Sequence, residues 1–458
     1  MATDQRRLLS DGALGAVETA ALIRAGKLTA EAACEDAIAR IERLDGSVNA
    51  VVVRDFARAR EAASAVDATR SAADPRPLLG VPMTVKESFS VAGLQTTWGF
   101  PGFTDVPVTQ DALAVARLKQ AGAVILGKTN VALGLVDWQS ENSVYGRTVN
   151  PYDHARSSGG SSGGSSAALA LGMIPLELGS DIGGSIRIPA HMCGVFGHKP
   201  TYAVVPTAGH SLPESDGLPP PLAVIGPLAR RAADLRAALQ IIAGPASGPY
   251  TLTLPPSPVA RLNQVRARFL LEQPRAAVDS DTRSVIEGLA DGLSAAGAEV
   301  SWGARGLPNL DDLYRCYTTM LLTVTRRGLV GAEPINAHRW LDLLDEQMRI
   351  TRTFEQFFSQ VDVLIAPVFG VPAFPFQPAH LSNWSERTLD IDGHSAPFGD
   401  QLAWPGLATL PGLPATTVPV GWSRDGLPIG VQVISAPYAD LTCIEVAEAM
   451  QDGALTLS

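Results

Sequence analysis

The sequence predicts an α/β fold, a central mixed twisted β-sheet covered on both faces by α-helices, and three observations carry that prediction. From about residue 78, short apolar strand-like runs alternate with amphipathic helical stretches, the pattern of βαβ units in which helices cover a sheet. Hydrophobic residues make up 46% of the 458 and charged residues 18%, ample apolar material for a large core. Gly 43 and Pro 34 supply the many turns such a topology needs. No composition break and no repeat divides the chain, so residues 1–458 read as one domain. Within it, helices occupy 1–70, an α/β core 78–230, a helical region 231–360, and further strands with a helix 361–458.

Taken in order, Ala13 to Ala25 reads as a helix stopped by Gly26, and Thr29 as the cap of a second one. That helix carries an apolar stripe of Ala33, Ala37, Ile38, Ile41 and Leu44 up to Gly46. Val51 opens a β-rich run, and Ala57 to Val66 returns to helical spacing. Leu79 to Val85 is a short strand, Thr109 to Ala121 a helix and Ala123 to Leu126 a strand. A Ser/Gly run over 157–166 leads into a small-residue helix from Ala167 to Leu171. Pro206 to Pro221 has the composition of a loop lying over a pocket. Ala229 to Ala243, Asp281 to Ala296 and most of Leu310 to Phe358 read as helices, and Asp362 to Pro367 as a buried strand. Thr416 to Trp422 and Gly430 to Ile434 form a hairpin around Asp425-Gly426.

The net charge of −10 repels phosphate backbones, so nucleic acid is excluded as a partner, and the substrate is neutral or reaches a local pocket. Cys34, Cys193, Cys316 and Cys443 stand far apart, without zinc-ligand spacing, and read as core thiols in a reducing compartment. Met1 to Ser10 is polar and lacks the apolar run of a signal peptide. Ala167 to Leu178, broken by Gly172 and Pro175, is short of the ~20 residues of a membrane span. The expectation is a cytoplasmic protein with no membrane partner.

Three features carry chemistry. Taken alone, Gly159-Gly160-Ser161-Ser162-Gly163-Gly164 is a flexible linker, yet it leads directly into a tightly packed helix. Gly179-Ser180-Asp181-Ile182-Gly183-Gly184-Ser185-Ile186-Arg187 can turn successive backbone N–H groups inward, a nest suited to an oxyanion. Lys86 ends the strand Val81-Pro82-Met83-Thr84-Val85; a lone lysine there is ordinarily a solvated charge.

Together these blocks resemble the amidase signature family, Ser185 following Ser161 by 24 positions and Lys86 lying upstream in Pro-x-x-Val-Lys. The likeness continues through Asn150-Pro151-Tyr152-Asp153, Gly197-His198-Lys199-Pro200 and Gly226-Pro227-Leu228-Ala229-Arg230. It extends to Asp362–Pro367 and Gly426–Gln432, and the central block is its specific part. The resemblance implies an amidase-signature fold, with the signature in the 78–230 core and pocket helices in 231–360. It also implies a Ser-cisSer-Lys triad: Ser185 as nucleophile, Ser161, after a cis Gly160–Ser161 bond, as proton relay, and Lys86 as base. A serine hydroxyl needs such a base, and a lysine serves only when burial keeps it neutral.

Backbone N–H groups of Ile182, Gly183, Gly184 and Ser185 would form the oxyanion hole. Asp181 and Arg187 would brace that loop, and Ser162 would hydrogen-bond to the lysine region. Trp138 and Gln139 fall in the segment 135–142, which faces the acyl side of the pocket in the family; Trp138 either shapes that pocket or packs in the core. The implied reaction is hydrolysis of a small-molecule carboxylic amide through a seryl acyl-enzyme, without metal or cofactor. Carbamates (urethanes) and esters present the same carbonyl, so aryl-acylamidase and urethanase use are both open. Leu313, Tyr314, Tyr317, Met320, Leu321 and Leu322 read as core; if part of that set lines the site, bulky aryl or alkyl groups fit better than glutamine. Pro206 to Pro221 lacks the segment associated with the family's glutamine amidotransferase member, which favours a stand-alone enzyme, monomer or homodimer.

Two rivals remain. Gly159-x-Ser161-x-Gly163 also spells the nucleophile elbow of an α/β-hydrolase, which needs a strand immediately before it and a partner histidine. Gly122 to Thr129 matches the P-loop spelling of a nucleotide binder, but its middle, Ala123-Val124-Ile125-Leu126, reads as a strand rather than a loop.

Overall fold

A computed structural model of the protein describes residues 14–212, 220–327, 333–377 and 384–457. The expectation for Met1 to Ser10, and the middle of the loop from Pro206 to Pro221, lie outside these residues. Eleven strands form one sheet: β1 (Val51–Arg54), β2 (Pro82–Lys86), β3 (Val124–Thr129), β4 (Leu176–Asp181), β5 (Phe196–Lys199) and β6 (Val224–Ala229), then β7 (Arg266–Phe269), β8 (Glu299–Trp302), β9 (Val363–Pro367), β10 (Ala415–Trp422) and β11 (Pro428–Ile434). Their spatial order is β1-β3-β2-β4-β6-β5-β10-β11-β9-β7-β8. β2 runs parallel to both β3 and β4, and β7 to both β8 and β9. The other pairings are antiparallel, so the sheet is mixed as expected.

Alternation along β3 explains the layering. Val124 and Leu126 join a core cluster built on the helices Ala30–Leu44, Phe56–Thr69 and Gly163–Ala170, while Ile125 joins a second, larger cluster. Successive side chains on a strand point to opposite faces, so one strand feeds two cores and both faces are covered. The P-loop spelling is thereby removed, since Gly127-Lys128-Thr129 is strand. The four cysteines are buried free thiols. Among the described residues, no helix is long and apolar enough to cross a membrane.

Most elements sit within a few residues of their expected places. Thr29 caps its helix, accepting the Ala32 N–H at 3.0 Å. The stretch from Leu310 to Phe358 is two helices, Leu310–Thr325 and Ala337–Phe358. The small-residue helix starts at Gly163 rather than Ala167. Its two leading glycines pack where a side chain would meet Ser140, Ser158 and the Asn130 backbone, so glycine here serves close approach rather than helix breaking.

Parallel neighbours end at the same edge of a sheet. Because Val85 stands opposite Leu178, Lys86 at the end of β2 and the loop after Asp181 at the end of β4 emerge side by side. This register places the chemistry.

Candidate active site

Lys86 is completely buried. Its Nζ donates to Ser161 Oγ at 2.7 Å and to Ser180 Oγ at 3.0 Å, and approaches the Ser180 carbonyl at 3.5 Å. Burial pushes its ammonium down from 10.5 to about 7, against the opposing attraction of Asp181 and Glu177. Ser161 follows a cis Gly160–Ser161 peptide. Any side chain at Gly160 would run into the backbone of Asp137 and Gln139, which accounts for glycine at that position.

The second arm is the turn between β4 and the helix Arg187–Cys193. Asp181 accepts the Gly184 N–H at 3.0 Å and the Ile186 N–H at 3.1 Å, and pairs with Arg187 Nε at 3.0 Å and Nη2 at 2.9 Å. Burial works to raise the Asp181 pKa, but the Arg187 charge and hydrogen bonds outweigh it and hold the carboxylate below its ordinary value. Arg187 also donates to the Pro405 carbonyl, Gln432 Oε1 and Thr409 Oγ1. The bracing expected of these two residues is thus a closed, buried network.

Of the four N–H groups expected to face an oxyanion, that of Gly184 is already taken by Asp181. Among the described residues, those of Ile182, Gly183 and Ser185 have no acceptor. Gly184 has φ +91, and a side chain there would press on Ile188 and Pro405. Ser185 itself is 5% exposed. No hydrogen bond joins its Oγ to Ser161 Oγ; the two arms are linked instead by the Ser162 N–H, which donates to the Ser185 carbonyl at 3.3 Å.

The profile of the family described as Amidase matches residues 32–328 and 318–444. The chain belongs to the amidase family. This amidase is 33% identical to AtzE of Pseudomonas sp. (strain ADP), a component of 1-carboxybiuret hydrolase, over 94% of this chain and 96% of that one. It is also 33% identical to a component of the glutamyl-tRNA(Gln) amidotransferase of Roseiflexus castenholzii, over 94% of each chain. Among solved structures, a 6-aminohexanoate cyclic dimer hydrolase complexed with substrate superposes with a TM-score of 0.80 at 25% identity, covering 98% of both chains. The protein is therefore a hydrolase of amide C–N bonds with the amidase-signature fold.

Other expectations for the amidase are corrected by the side chains. Ser162 does not reach the lysine: its buried hydroxyl has no hydrogen-bond partner, and Ser180, which sequence reading passes over, stands in that place. The Gln139 amide is engaged by the backbone of Gln377 at 3.0 and 2.7 Å. Trp138, 2% exposed, lies under the turn, its Nε1 donating to the Gly183 carbonyl at 2.9 Å. It packs on Phe369, Trp384 and Phe398. From the predicted core set, Leu313, Tyr317, Met320 and Leu321 are buried, Tyr314 is half-buried and Leu322 is exposed. The elbow rival lacks both its requirements, for no strand leads into Ser161 and its hydroxyl is paired with Lys86 rather than a histidine. His380 lies outside the described residues. Among those residues, no three His, Cys, Asp or Glu side chains cluster as a metal site would need.

Proposed function

We propose that this amidase cleaves uncharged aryl or alkyl amides of small molecules through a seryl acyl-enzyme, with Ser185 as nucleophile, Ser161 as proton relay and Lys86 as base. The observation that carries the reading is a completely buried lysine, brought down to about 7, with its nitrogen 2.7 Å from a serine hydroxyl. Near neutral pH such a lysine has a lone pair to accept a proton. Ser161 passes its proton to Lys86 and takes one from Ser185, whose Oγ adds to the substrate carbonyl. Rotation of the Ser185 hydroxyl onto Ser161 accompanies substrate binding, since the free enzyme leaves that bond unmade. The tetrahedral oxyanion meets the free N–H groups of the turn. Ser161 then protonates the leaving amine, recovering a proton from Lys86, and water resolves the ester by the same route.

What surrounds Gly183 supports this substrate class. Among the described residues, a side chain at that position would meet only Leu402 Cδ2, at 3.8 Å, and the Tyr317 hydroxyl, at 4.0 Å. Two arginines around the turn are each paired with a carboxylate: Arg187 with Asp181, and Arg387 with Asp137 through two bonds of 2.8 Å. Neither pair leaves a cation for a substrate carboxylate, which favours uncharged groups over glutamine.

A matched ester, anilide and carbamate sharing one chromogenic leaving group test the proposal on wild type and Ser185→Ala. Cleavage of the anilide by wild type alone supports it, and carbamate turnover above that of the anilide moves the assignment to urethanase use. Ester turnover alone, or a Ser185→Ala variant equal to wild type, rejects the triad.

A further inference from the structure

Two consecutive peptide groups of the turn before Ser185 are held in different ways. The Gly183–Gly184 peptide is held at both ends, its carbonyl by Trp138 Nε1 and its N–H by Asp181. The Ile182–Gly183 peptide is held at one end only. Its carbonyl accepts the Tyr317 hydroxyl at 2.8 Å, and its N–H has no acceptor among the described residues. In a planar trans peptide the N–H points opposite the carbonyl, so fixing the one aims the other. A buried N–H left without a partner is costly unless something arrives to accept it.

The Tyr317 ring is fully buried on the helix Leu310–Thr325 and lies so close to Gly406 that a side chain there would clash with it. A carbonyl can only accept, so the Tyr317 O–H must donate to Ile182. On the other side of the turn, Asp181, the residue next to Ile182, is held by its ion pair with Arg187.

We propose that Tyr317 is a positioning residue for amide hydrolysis: its hydroxyl turns the Ile182–Gly183 peptide so that the Gly183 N–H is presented to the oxyanion formed on Ser185. The role rests on Ser185 being the nucleophile. Without the hydroxyl, the peptide is free to rotate and bring its carbonyl oxygen toward the developing negative charge.

Tyr317→Phe removes one oxygen and keeps the ring against Gly406. With the anilide, kcat falls about 10- to 100-fold while KM stays within about twofold. The inhibition constant of a trifluoromethyl ketone analogue, which adds the serine to form a stable tetrahedral oxyanion, rises by the same factor. The pH midpoint of the reaction stays where it is in wild type, because Lys86 is untouched. A normal kcat in Tyr317→Phe, a matching rise in KM, or a ketone affinity that does not follow kcat overturns the role. If Ser185→Ala is inactive and Tyr317→Phe equals wild type, only the Tyr317 role falls; if Ser185→Ala stays active, the nucleophile assignment falls with it.

Discussion

Lys86 and Lys199 form a natural experiment within one sheet. Each ends a strand, β2 and β5 respectively, each is completely buried, and burial brings each down from 10.5 to about 7. Their partners differ. Lys86 donates to two serine hydroxyls, whereas Lys199 donates to the carbonyls of Pro200 at 3.0 Å and Leu413 at 2.7 Å. A hydroxyl can give a proton to a neutral amine; a carbonyl has none to give. Low pKa alone therefore does not mark a base. The chemistry of the hydrogen-bond partner separates a reacting lysine from one that ties two chain segments together.

The largest expected effect tests that distinction directly. Lys86→Met lowers kcat/KM for the anilide by about 10³-fold or more, the upper range for losing a general base. Lys199→Met leaves kcat within about threefold but strands two buried carbonyls, so denaturant unfolding shows a loss of about 1–3 kcal/mol. If the two variants exchange these phenotypes, the comparison is broken.

The pH profile sharpens it. The protonated form of Lys86 cannot accept a proton, so activity is low on the acid side, rises through about pH 7 and levels above it. Lys199→Met keeps that midpoint. A flat profile from about pH 6 to 9, with chemistry rate-limiting, removes lysine as the base.

Ser180→Ala acts more gently. It deletes one acceptor of the charged ammonium, so the midpoint moves to lower pH and kcat falls by about tenfold or less. Ser162→Ala gives the smallest effect. It removes a buried hydroxyl that has no partner, so activity stays within about twofold and stability is equal or up to about 1 kcal/mol higher. A larger activity loss at Ser162 than at Ser180 reverses the assignment of the two serines.

What is legible in the sequence lies close together along the chain. The Ser/Gly run, the turn from Gly179 to Arg187 and the strand-end Lys86 are local patterns, and the bracing of Asp181 by Arg187 spans six positions. The contacts that sequence reading does not reach are settled over long distances. Trp138 reaches a carbonyl 45 positions away, Tyr317 one 135 positions away, and Gln139 the backbone of a residue 238 positions away. Nothing in the composition of segment 135–142 distinguishes an indole that lines a pocket from one that holds a turn, because the difference lies only in what packs against it. Adjacency to Ser161 favours Ser162 over Ser180 as the lysine's partner. The choice depends instead on where β4 ends relative to β2, a register that neither strand specifies alone.

By itself, then, the sequence determined the α/β class, the family and the residue types that gather at the site, because alternating apolar patterns and glycine-rich turns are encoded locally. The tertiary structure alone decided which hydroxyls face Lys86, that the Gly184 N–H is spent on Asp181, and that Tyr317 and Trp138 hold the turn. Those outcomes depend on strand register and on contacts between distant segments. A hydrogen bond is decided within a few tenths of an ångström, and only the packed fold fixes positions that finely.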